Sequence, residues 1–123
     1  MSSYNRINGV YTSETSELQT TVLRDEWGFK GLVMTDWFGG KDAVAQMNAG
    51  NDMLQPGTDK QYEAIVEGVR SGALDEKVLD RNVKRVLELV LRSPRFKGYE
   101  YSNKPDLKAH AEVTRLSASE GMV

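Results

Sequence analysis

Gly31-Leu32-Val33-Met34-Thr35 is a short apolar run that ends on a carboxylate, Asp36. The run is too brief for a helix and lacks the alternation of a strand with one wet face, so it reads as a strand buried on both sides. Asp52-Met53-Leu54, ahead of Pro56-Gly57, reads as a second short strand. Strands of this kind need helices over both faces, and the flanking sequence supplies them. Ser16-Glu17-Leu18-Gln19 has the form of a capping box, which starts a helix near Ser16 with Leu18, Val22 and Leu23 on one face and Gly28 as its stop. Lys41 to Asn48, ended by Gly50, gives a second helix. Tyr62, Ile65, Val66 and Val69 form the apolar face of a third, closed by Ser71-Gly72. Asp75 caps a longer fourth, in which Leu79, Val83, Val86 and Val90 line one side, Lys84, Arg85 and Glu88 face water, and Pro94 is the stop. Ahead of all of these, Asn8-Gly9 is a turn signal.

Alternating strands and helices predict an α/β fold with a parallel sheet, open or closed into a barrel. Two or three strands cannot bury both faces of a sheet alone, so the chain reads as an incomplete domain. Beyond Pro94 the stretch to Lys108 has two tyrosines, a Lys-Pro step and no periodicity, as a linker does. A last helix is expected to begin between Lys104 and Leu107 and to be running still at Val123.

Charge narrows the partners. Sixteen basic and eighteen acidic residues leave a formal charge of -2, which gives no footprint for nucleic acid or an anionic membrane. A neutral partner fits better. No apolar run approaches the roughly 20 residues that cross a bilayer, and the first residues lack the pattern of a signal peptide, so a soluble chain is expected. With no cysteine, disulfides and thiolate metal sites are excluded. The sole histidine, His110, stands in the last helix, and no His, Asp or Glu cluster has metal spacing. Gly39-Gly40 lacks the ending and the spacing of a phosphate loop. No cofactor is expected.

Three stretches, taken in order, carry a resemblance. Met1-Ser2-Ser3-Tyr4-Asn5 leads to Asn8-Gly9; Leu23-Arg24-Asp25-Glu26-Trp27-Gly28-Phe29-Lys30-Gly31 follows; then comes Val33-Met34-Thr35-Asp36-Trp37. Together they resemble the late barrel of glycoside hydrolase family 3. Ala49-Gly50-Asn51-Asp52-Met53 with Pro56-Gly57 is similar to that family's final barrel strand, and the helices from Gln61 to Phe96 to those that close its barrel. His110-Ala111-Glu112-Val113-Thr114-Arg115 resembles the opening helix of its second domain. The resemblance implies a partial (β/α)8 barrel over residues 1–96, a linker over 97–104, and the start of an α/β-sandwich domain over 105–123. It favours a periplasmic or secreted setting.

Retaining glycosidases use two carboxyl groups about 5 to 5.5 Å apart, one as nucleophile and one as acid and then base. The resemblance implies that Asp36 is the nucleophile, that the acid/base is absent from this chain, that Trp37 walls the sugar subsite, and that Tyr4 and Met1 stand beside it. Trp37 also tilts the reading toward a β-glucosidase and away from enzymes of N-acetylated sugars. The implied substrate is a β-linked oligosaccharide or glucoside with a terminal β-D-glucosyl residue. A β-xylosidase or another exo-glycosidase of the family is the alternative, as is a catalytically silent, self-associating segment. By residue type alone, Asp36 reads equally as the cap of the following helix, Trp37 as a core residue and Tyr4 as a buried hydroxyl. Asp52 suits a turn better than the barrel mouth. Glu14 and Glu17 lie where acidic residues favour a helix start and match no acid of the family.

Overall fold

The structure is a computed structural model that describes residues 1–122. The chain forms two compact units, divided between Ser93 and Pro94. In the first, β1 (Arg6–Ile7) and β2 (Val10–Tyr11) pair as an antiparallel hairpin, and the turn between them holds Asn8 and Gly9 at φ 51° and 85°. Both central residues are left-handed, as the two-residue hairpin turn requires and as the Asn-Gly pair predicts.

The two expected buried strands are present only as parallel single-pair bridges. Thr35 pairs with Ser2 on one side, and Met34 pairs with Met53 on the other. The middle segment changes partner from one residue to the next and each outer segment is paired on one side only, so no ladder grows. The order across this small sheet is Met53, Met34-Thr35, Ser2. Its backbone bonds run from Ser2 N to Met34 O at 2.9 Å, Thr35 N to Met53 O at 3.0 Å and Asp36 N to Ser2 O at 3.1 Å.

The helix expected from Ser16 is a π-helix, Glu17–Glu26, with Trp27 N bonded to Val22 O five residues back at 3.0 Å. Ser16 makes no side-chain cap. The capping box fails because Gln19 is drawn inward, where its amide donates to the Thr12 carbonyl at 3.1 Å. Three further helices follow in this unit: α1 (Ala43–Ala49), α2 (Asp59–Ser71) and α3 (Glu76–Arg92). Each begins on the side chain that a cap needs: Asp42 accepts from Ala45 N, Thr58 forms a reciprocal box with Gln61, and Asp75 accepts from Lys77 N. Gly50 and Gly72 close α1 and α2, and α3 stops at Ser93, one residue before Pro94.

Ala43, Met47, Leu54 and Leu74 form the core, with Val44, Ile65, Val69 and Leu79 packed against it. α1 and α2 approach closely at Gly68, where a Cβ would lie 2.7 Å from Val44 Cγ2. Two expected faces differ from those observed. Tyr62 on α2 is exposed. On α3 the inward side carries Val78, Leu79, Asn82 and Arg85, while Val83 and Val90 are exposed. The reason is polar: Asn82 is fully buried because its amide donates to the Met47 and Asn51 carbonyls at 3.2 and 3.0 Å, and that pairing sets the helix's rotation.

The second unit holds α4 (Leu107–Glu120), capped by Asp106, whose carboxylate accepts from Ala109 N at 3.0 Å. Exposed His110 lies on this helix. α4 ends at Glu120, short of the expected run to Val123, which lies outside the described residues. Ahead of it, Tyr99 and Tyr101 meet edge to face and Arg95 stacks on Tyr101.

Candidate active site

Asp36 stands where the middle bridged segment ends. Its backbone is fixed by Ser2 O, and its own carbonyl accepts from Gly39 N at 2.9 Å. Its Oδ1 accepts from Trp37 N at 2.7 Å. The following helix is capped by Asp42, which overturns the reading of Asp36 as that cap. Ahead of Asp36, fully buried Thr35 accepts from Gln55 N through its hydroxyl at 2.8 Å, which locks the segment to the stretch after Met53.

The bridge at Ser2 brings the N-terminal residues alongside. The Tyr4 phenol has its pKa pushed up by desolvation first and then by the hydrogen bond to Asp36 and the charge of that carboxylate. Tyr4 is more than half exposed, so it is not a buried hydroxyl. A neutral phenol facing a carboxylate donates to it. Trp37 is 56% exposed, which overturns its reading as a core residue, and it packs edge to face on exposed Phe38 with ring centroids 6.4 Å apart. Met1 is exposed as well.

The loop from Trp37 to Lys41 is held from several directions. Phe38 adopts a left-handed φ of 59°, a conformation that costs a side-chain-bearing residue on the order of 1 kcal/mol and persists only when neighbours over-determine it. Phe38 N donates to Gln55 O at 3.1 Å. The Gly39 carbonyl accepts from Ser13 Oγ at 3.1 Å and from Gln46 Nε2. Glu14 Oε1 accepts from the backbone N–H groups of Lys41 and Asp42, at 2.6 and 3.0 Å. Gly40 sits among these three side chains at φ 93°, with no room for a Cβ.

On the other side of the bridged segments lies a buried ionic cluster. Asp52 Oδ2 accepts from Arg24 Nη2 and from Val33 N, both at 2.8 Å, and its Oδ1 accepts from Arg85 Nη1 at 2.9 Å. Its side chain is wholly buried. The expected turn role for Asp52 is therefore corrected to a bridge between the π-helix, the middle bridged segment and α3, and Arg85, expected to face water, is its partner. Burial pulls the Arg24 guanidinium below its ordinary value, against the favourable charge of Asp52. Arg81 is lowered by burial and by the like charge of Arg85.

Sequence reasoning passed over Ser13 and Gln46 and read Glu14 only as an acid suited to a helix start. Their signal was the Gly39-Gly40 pair, read above only as a failed phosphate loop, since adjacent glycines also mark a backbone that other groups approach closely.

Comparison with known proteins places these features. The glycosyl hydrolase family 3 N terminal domain matches residues 1–89. A beta-glucosidase of Rhizobium radiobacter is 43% identical over 112 residues, 90% of this chain and 13% of its own length. An exo-alpha-(1->6)-L-arabinopyranosidase of Bifidobacterium longum is 41% identical over 125 residues, 100% of this chain and 16% of its own. Among solved structures, beta-glucosidase 3B from Thermotoga neapolitana in complex with glucose superposes with a TM-score of 0.87 at 44% identity, over 96% of this chain and 18% of that one. The chain thus spans less than a fifth of the length of these proteins.

Proposed function

Because this chain belongs to glycosyl hydrolase family 3, we propose that it is the part of a retaining β-glucosidase that supplies the nucleophile, Asp36. The observation that carries this reading is the placement of the Asp36 carboxylate at the end of a parallel-paired segment, the position from which barrel enzymes present catalytic groups, with Tyr4 against it and Trp37 exposed beside it. The three bridged segments are then late strands of a (β/α)8 barrel, α2 and α3 are helices that close it, and α4 opens a second α/β domain after a linker over 97–104. The setting is periplasmic or secreted.

In this role the Asp36 carboxylate attacks the anomeric carbon of a terminal, non-reducing β-D-glucosyl residue and forms a glycosyl ester as the aglycone leaves. An acid supplied outside this chain protonates the leaving oxygen, then as a base activates the water that hydrolyses the ester. Tyr4 donates to the carboxylate and orients it, Trp37 offers a flat face to the sugar's C–H groups, and Met1 lines the same subsite.

A second reading keeps the chemistry and changes the sugar. The relative named for an arabinopyranoside is nearly as similar to this chain as those named for glucosides, so the residues that choose the sugar lie largely outside it, and β-xylosides belong to the same alternative.

The test is made on the longer enzyme. A 2-deoxy-2-fluoro β-glucoside should label the peptide containing Asp36, and Asp36→Asn should abolish labelling and lower kcat by about 10⁴-fold or more, the scale seen when covalent machinery is removed. Label on a different carboxylate would refute the assignment.

A further inference from the structure

We propose that Glu14 is a positioning residue for the loop that begins at Asp36, acting by clamping the amides of Lys41 and Asp42; the inference rests on the reading of Asp36 as nucleophile. The loop leaves the bridged segment at Asp36 and enters α1 at its cap, Asp42. Its entrance is tied to the sheet through Asp36 N and Phe38 N. Its exit has no such tie, and there Glu14 Oε1 receives two adjacent N–H groups at 2.6 and 3.0 Å.

A carboxylate that accepts from backbone amides forms charge-assisted bonds, stronger than those between neutral groups. Glu14 is placed for this by the 3₁₀ turn Thr12–Glu14, where buried Ser13 also reaches the Gly39 carbonyl. Two consecutive side chains of one turn thus hold the middle and the end of the same loop. Gly40 admits them, its missing Cβ leaving Glu14 Oε1 3.0 Å from where a Cβ would stand.

The clamp has a task because the loop is strained. Phe38 holds a left-handed backbone, and once the exit is freed it relaxes toward ordinary angles. That rotation carries Trp37, bonded through its N–H to Asp36 Oδ1, and with it the carboxylate. A displacement of about 1 Å at a reacting group is enough to cost roughly 10²-fold in rate. Loss of the clamp therefore lowers kcat and, because Trp37 shifts with the loop, raises KM as well.

The test compares Glu14→Ala, Glu14→Gln and Glu14→Asp. In the longer enzyme, amide exchange at Lys41 and Asp42 should quicken about tenfold or more in Glu14→Ala, with α1 amides unchanged, and quicken less in Glu14→Gln, whose amide oxygen still accepts both bonds without the charge. In the longer enzyme, kcat on 4-nitrophenyl β-glucoside should fall roughly 10- to 100-fold in Glu14→Ala, with KM raised as Trp37 shifts, recover in part in Glu14→Gln, and be intermediate in Glu14→Asp, whose shorter reach keeps the fold if Glu14→Ala does not. Unchanged exchange at Lys41 and Asp42 would overturn the clamp. A Glu14→Gln enzyme as slow as Glu14→Ala, or α1 exchange rising equally, would overturn positioning. Should Asp36→Asn retain full activity, the nucleophile reading falls while the exchange result still judges the clamp.

Discussion

At the scale of single residues, the chain keeps its acids for different tasks by giving them different surroundings. Asp36 is half-buried and shares its carboxylate with one backbone amide and a phenol. Asp52 is sealed from water and faces two guanidinium groups. Replacing Asp52 by Asn removes the charge while Arg24 and Arg85 remain, and an uncompensated buried charge costs about 3 to 5 kcal/mol. Urea unfolding of Asp52→Asn should show a loss of that size; a loss below about 1 kcal/mol would mean that the cluster is as well solvated as a surface pair. The sequence singles out Asp36 as a candidate through its neighbours Thr35 and Trp37, since a family motif is contiguous. It could not signal Asp52, whose partners are Arg24 and Arg85, brought together only by folding.

At the scale of elements, the helices were legible and the sheet was less so. Caps are local: Asp75, read as a cap from the sequence, bonds an amide two residues on, and a local bond can be read from local sequence. Asp75→Ala should therefore lower stability by about 1 kcal/mol, seen as a lower thermal midpoint with the helix content of the folded state kept. What escaped is what depends on distant residues. Ser16 and Gln19 fit a capping box in sequence, yet the Thr12 carbonyl, seven residues from Gln19, captures the amide. Val33 to Thr35 read as a strand, yet its ladder is limited by what pairs with it. The rotation of α3 was misjudged because an apolar count cannot anticipate that Asn82 and Arg85 point inward.

At the scale of the whole molecule, the proposed reading gives the chain one half of a two-carboxyl reaction. Without a positioned acid, whose contribution is typically 10² to 10⁴-fold, the isolated 123 residues should hydrolyse 4-nitrophenyl β-glucoside no faster than their Asp36→Ala variant. Activity clearly above that variant would show that the chain assembles a working site alone. α3 leaves Leu87, Leu89, Val90 and Leu91 about half exposed, an apolar surface of the sort that drives association. Sedimentation of the isolated chain should accordingly show species heavier than 13.8 kDa, and a compact monomer would contradict this. The long-range side-chain contacts of the first unit also have a bearing on recombination. Ser13 and Glu14 reach Gly39, Lys41 and Asp42, and Arg24 and Arg85 reach Asp52, so the partners lie within one continuous stretch. In a library of chimeras with a relative 43% identical to this chain, crossovers between Arg24 and Arg85 should part Asp52 from one of its two arginines and yield mostly inactive enzymes. Crossovers in the 97–104 segment separate none of these pairs, and there the parental activity should pass intact from one sequence background to another.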